Sequence, residues 1–88
     1  MVSKLPKALA DFLGYIIFFW SNEESKPHVH VCKGRPSKNA SKFWVSPGGV
    51  MLEHNGGDIP AKDLRKIEAY LVANREQILI AWMEHFEE

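Results

Sequence analysis

Hydrophobic positions follow three different rhythms along this chain. From Tyr15 to Trp20 the run YIIFFW is apolar at every position and rich in β-branched and aromatic residues, the pattern of an inner strand covered on both faces. From His28 to Lys33 the rhythm is strict alternation: Val29 and Val31 face one way, and His28, His30 and Cys32 face the other. From Leu64 onward Leu64, Ile67, Leu71, Ile78, Trp82 and Phe86 recur at three-to-four spacing, the mark of a helix with one buried stripe.

Punctuation between these segments predicts how they connect. Ser21 to Lys26 is a polar turn, and Pro27 favours an extended entry into the histidine strand. Gly34, Pro36, Ser37 and Asn39 mark a loop; Ser41 to Val45 and Val50 to His54 then read as a hairpin, with Pro47 and Gly48 suited to the centre of a type II turn. Asn55-Gly56-Gly57 is a further break, Pro60 is placed to open a helix, and Asp63 in its first turn favours the helix dipole. Asn74 falls on the apolar stripe with Gln77 three residues later, so it either caps a second helix or marks a kink. Near the start, Leu5, Leu9 and Phe12 lie close to helical spacing, with Ser3 as a cap and Pro6 tolerable in the first turn, which predicts a short helix over Ser3 to Leu13.

These elements predict an α+β fold: a small antiparallel sheet of three to four strands, a C-terminal helical segment (one kinked helix or two) packed on one face, and a short N-terminal helix. At 88 residues the expectation is a single domain over 1–88, with a helical extension at 1–13, the sheet at 14–54 and the helical segment at 60–87. The 45% hydrophobic and 25% charged content suits a folded chain with a thin core. The apolar stretch Phe12 to Trp20 is too short for a membrane span, which needs about 20 residues. A lone cysteine, Cys32, allows no internal disulfide and suits a reducing cytoplasm.

Formal net charge is zero, yet the charges are segregated. Lys26, Lys33, Arg35, Lys38 and Lys42 lie in a window from Ser25 to Leu52 that holds no acid, while from Glu76 onward there is neither Lys nor Arg. Such a window is either a solvated face or a modest footprint for an acidic partner or nucleic acid.

The histidine strand carries the candidate chemistry. His-x-His on one strand face can chelate a metal, and Cys32 or His54 could complete a tetrahedral set, so zinc or another divalent ion bound by His28, His30, Cys32 and His54 is one reading. A second has His28 and His30 contacting a partner together with Lys33, Arg35, Lys38 and Lys42, their ordinary pKa near 6.5 letting either ring be charged or neutral. A third makes them structural, tied to backbone or to a carboxylate such as Glu53. The first two require both imidazoles to project away from the helices, where an outside molecule reaches them. Trp44 and Trp82 read as core or interface anchors. Gly56-Gly57 before a helix resembles a phosphate cradle but lacks a following Lys-Ser/Thr, and Pro60 removes an amide donor, so it reads as a turn. No nucleophile elbow, Walker motif or paired-cysteine zinc motif occurs, and no catalytic residue is assigned.

The stretches GYIIFFWSNEESKPHVHV and KFWV, followed by a C-terminal helix carrying a Trp, resemble a family of small bacterial proteins catalogued as domain of unknown function 4160. The resemblance spans about Gly14 to Trp82 and rests most on Phe18 to Trp20, Asn22-Glu23 and Pro27-His28-Val29-His30. Two features depart from it: Lys26-Pro27 stands where many members have Pro-Pro, and Met1 to Leu13 precede the first shared strand. The resemblance implies a free-standing protein, with some members placed in toxin–antitoxin-like pairs, and it transfers no catalytic residue. The expectation is therefore a non-enzymatic module in a two-protein system, binding a protein partner or a second copy and, weakly, nucleic acid. The alternative is a small His-dependent or metal-dependent hydrolase or nuclease.

Overall fold

A computed structural model describes residues 6–20 and 26–86. Five strands, β1 (Pro6–Phe12), β2 (Tyr15–Trp20), β3 (His28–Lys33), β4 (Ser41–Ser46) and β5 (Gly49–Asn55), are followed by helices α1 (Ala61–Ala73) and α2 (Arg75–Phe86). The strands form one antiparallel meander in the order β1-β2-β3-β4-β5. Among the described residues no helix is long and apolar enough to cross a membrane.

The α+β arrangement is as the rhythms predict, with two corrections at the first element. Residues 6–12 form a strand instead of a helix, and the sheet therefore has five strands instead of three or four. The reason lies in a bulge. The β1/β2 register shifts between Ala8 and Ala10, which leaves Leu9 as an extra residue and puts Leu9, Ala10 and Phe12 all against the core. A bulge breaks period two, and the surviving spacing imitates a helical stripe. Leu13 and Gly14, with φ of 55° and 83°, supply the left-handed pair of a tight hairpin turn closing at Phe12 and Tyr15. Ser3, expected as a helix cap, and most of the Ser21 to Lys26 turn lie outside the described residues.

The helices cover one sheet face. Tyr15, Ile17, Val29, Val31, Phe43 and Val45 alternate onto it and meet Ile59, Ile67, Leu71 and Ile78 in the main core. Phe19, fully buried, packs against Trp82, His85 and Phe86 of α2. Tyr15 donates a hydrogen bond to Asp63 at 2.6 Å, tying β2 to the first turn of α1. On the opposite face Phe18, Cys32 and Ala40 form a second, smaller buried cluster with Ile16 and Trp20 beside it. Ala40 ends the β3–β4 loop, and the Cys32 thiol donates to the Arg35 carbonyl at 3.0 Å, so this loop folds back over that face.

Two turns differ in detail from expectation. In the β4–β5 hairpin the positive φ falls on Gly49 (155°), outside the type II pattern that would put it on Gly48. Asn74 does divide the helices, but its side-chain amide donates to the Tyr70 carbonyl at 2.8 Å, closing the end of α1, while its own carbonyl accepts from Ile78 N–H and begins α2.

Candidate functional site

β3 pairs its histidines with aromatic and basic residues on both sides. Across to β2, His30 stands opposite Phe18; across to β4, His28 stands opposite Trp44 and His30 opposite Lys42. Val29 and Val31 lie in the helix-side core as expected, which turns His30 and Cys32 to the other face.

His28 and His30 are not equivalent. His28 is 0% exposed, its Nδ1–H donates to the Lys26 carbonyl at 2.8 Å, and its ring lies 5.1 Å from His30, 5.5 Å from Trp44 and 4.9 Å from Trp82. Trp82 belongs to α2 and also meets Phe19, so the second helix closes over the end of β3. His28 therefore presents no surface to an outside molecule. His30 is half-buried, with its ring 5.5 Å from Phe18 and 6.3 Å from Trp20.

The four-ligand metal set is not assembled. His28 and His30 are neighbours, but Cys32 is buried and directed to the Arg35 carbonyl. Burial pushes its thiol pKa above the ordinary value, with the Ser37 backbone opposing, and so disfavours the thiolate a metal would need. His54 pairs with Lys42, which pairs with His30, placing His54 two strands from His30, about 9–10 Å away. Its Nδ1 accepts from Gly56 N–H at 3.2 Å. Among the described residues no three His, Cys, Asp or Glu side chains gather to hold a metal ion.

The basic residues divide between the two faces. Lys33, opposite Tyr15 in the ladder, puts its Nζ 5.3 Å from the centre of that ring on the helix side, whereas Lys42 Nζ lies 4.3 Å over Trp44. Arg35 and Lys38 are exposed on the loop between them. The glycine turn also offers no anion site. Gly56 N–H is taken by His54, Gly57 N–H by the Ser41 hydroxyl at 3.1 Å, Asp58 N–H by the Asn55 carbonyl at 3.1 Å and Ile59 N–H by Asn55 Oδ1 at 3.0 Å. Ser41, 0% exposed, donates in turn to Asn55 Oδ1 at 2.5 Å. This network fixes the approach to α1.

What the sheet does open to solvent is a groove beside the histidine row. It has a volume of about 580 Å³ and is lined by Lys26, Pro27, Trp44, Val45 and Met51. Val45 N–H donates to the Pro27 carbonyl at 3.1 Å, extending the β3/β4 ladder and setting Pro27 at the groove wall. Trp44 is half-buried, with its indole N–H donating to Glu53, and Met51 is 64% exposed. Sequence reasoning singled out Trp44 as an anchor and missed Pro27 and Met51. The available signal was that Met51 is out of phase with Val50 and Leu52 in a hairpin whose register sets it opposite Trp44.

Residues 14–83 match the model of a family described as a domain of unknown function (DUF4160). The chain belongs to that family. The matched span runs from the first residue before β2 to within α2, so in this DUF4160 member β1 lies ahead of the family segment and adds an edge strand to its sheet. No curated protein and no solved structure matches the chain.

Proposed function

We propose that this DUF4160 chain is a non-enzymatic interaction module that holds a partner protein on the sheet face carrying His30, Lys42 and Trp44, in the groove beside them. The observation that carries this is the groove itself: an apolar lining of Trp44, Val45, Pro27 and Met51 that also includes Lys26, with the Lys42 ammonium group over the Trp44 ring. A large aromatic with an apolar body and exposed neighbours is the composition of a binding anchor. A partner segment with an apolar side chain beside an acidic one suits that lining. We place it as one component of a two-protein, toxin–antitoxin-like system, as the family resemblance implies.

A protein partner is favoured over nucleic acid because Lys33 and Lys42 point to opposite faces and so form no single basic track for a phosphate backbone. The hydrolase reading is less supported, because His28 is enclosed by rings and committed at Nδ1. The test is co-expression with the product of the adjacent gene, followed by titration of the purified pair. Trp44→Ala and Lys26→Glu are expected to weaken binding at least about tenfold, the cost of a modest anchor, and Lys33→Ala to leave it unchanged. Full-strength binding by both groove variants would overturn the reading.

A further inference from the structure

The two edges of the sheet are built differently. β1 carries devices that keep another strand away: Pro6 lacks an amide donor, a bulge falls at Leu9, and Asp11 is exposed. β5 has a register irregularity at Glu53, but ahead of it the run Gly49 to Leu52 is regular and holds no charge or proline. Every second residue along it turns its N–H and C=O outward, away from β4.

The side chains on this run are self-complementary. Val50 and Leu52 stand opposite Val45 and Phe43, extending the helix-side row, while Met51 stands opposite Trp44, extending the other. Leu52 is 38% exposed and Met51 64%. Read against a second copy in the antiparallel sense about an axis through Met51, Val50 meets Leu52, Met51 meets Met51, and Leu52 meets Val50. Every pair is apolar and each falls on its own face of the sheet. The same register sets Glu53 opposite Gly49, so the only carboxylate on the strand does not face its own copy.

We infer that β5 is a homodimer interface: two copies pair their β5 edges antiparallel about a two-fold axis at Met51 and fuse their five-stranded sheets into one. The two Trp44–Met51 rows then become continuous across the axis. The inference goes beyond the partner-binding proposal and does not depend on it, because it is tested with the purified chain alone.

Sedimentation equilibrium across concentrations up to about 1 mM, the weak limit of measurable association, is expected to show mass rising from 10.1 kDa toward twice that value. Leu52→Lys and Met51→Lys, both at exposed positions, are expected to raise the dimer dissociation constant at least about tenfold with unchanged circular dichroism and melting of the monomer. In a mixture of differently isotope-labelled copies, interchain contacts are expected between residues 50 and 52. A chain that stays monomeric throughout overturns the inference. So does a dimer whose interchain contacts come from Ile80 and Met83, the exposed apolar residues of α2, and which the Ile80→Lys, Met83→Lys pair abolishes while the β5 variants do not.

Discussion

Replacing His28 by alanine is expected to damage the fold, with any effect on binding following from that. The substitution removes the hydrogen bond from Nδ1 to the Lys26 carbonyl, worth about 1 kcal/mol. It also removes a fully buried ring whose centre lies 4.9 Å from Trp82 and 5.5 Å from Trp44, contacts worth roughly 0.5–1.5 kcal/mol together with a cavity term of about 1 kcal/mol. The sum is about 3 kcal/mol, a large share of the roughly 4–13 kcal/mol expected for a chain of 88 residues. At about 4–8 °C per kcal/mol for a domain of this size, the melting temperature should fall by about 12–24 °C. His30→Ala, at a half-buried position, should cost about 1 kcal/mol. Thermal melts and urea titrations of the two variants against wild type measure this directly, and binding is then compared at a temperature where all three are folded. If His28→Ala melted within about 3 °C of wild type, below the shift of a 1 kcal/mol change, yet lost partner binding or an RNA-cleaving activity, the buried structural assignment would be refuted.

Three other outcomes follow from local geometry. Tyr15 holds its proton more tightly in the folded chain, its pKa pushed up to about 12 first by the hydrogen bond to Asp63 and then by burial and the carboxylate charge; the stabilisation is intact below the ordinary value of 10.0 and is lost as pH rises toward 12. Melting curves of wild type and Tyr15→Phe should therefore differ by a constant amount below pH 10.0 and draw together as pH rises toward 12; a gap that does not narrow would contradict the Asp63 contact. Cys32, buried and with its thiol pKa raised, should resist iodoacetamide in the native protein and react readily in urea, so fast native labelling would show that the Gly34 to Ala40 cover opens freely. Gly56→Ala would bring a Cβ within 2.8 Å of the Ala40 carbonyl oxygen, a backbone atom with little room to yield, and should cost about 1–3 kcal/mol in urea unfolding.

Much of the fold could be read from hydrophobic rhythm because most segments keep a pure period. β2 is apolar on both faces since both clusters need it, β3 alternates since only Val29 and Val31 enter the main core, and the stripe from Ile67 to Trp82 is buried where the spacing put it. β1 was illegible for a specific reason: a bulge turns Leu9 and Ala10 to the same side and leaves a helical imitation. The site was legible only to its strand. Alternation places His28 and His30 in one row, but nothing in the local pattern tells that α2 brings Trp82 against His28, a contact between residues fifty-four positions apart in sequence. Nor does a cluster of lysines in sequence reveal that Lys33 and Lys42 take opposite faces, because that depends on the parity of two different strands.

How little of the sheet the helices cover decides what the histidine row does structurally. A chain this small has a thin core, and the helices reach the other sheet face only at the end of β3, so the rest of that face must be closed by whatever lies on it. Phe18 and Cys32 are used for that closure, while His28 is closed over by Trp82 of α2; each is buried, and His28 Nδ1 and Cys32 Sγ bond to backbone carbonyls. A ring held this way is a packing element with a satisfied polar edge. The surface left over is displaced toward β4 and β5, where closure stops: Trp44 half-covered, Met51 and Leu52 exposed, and Lys42 laid over the indole. An apolar boundary on the incomplete side of a two-layer fold costs solubility unless something covers it, which is why both the groove and the β5 edge point to a second chain.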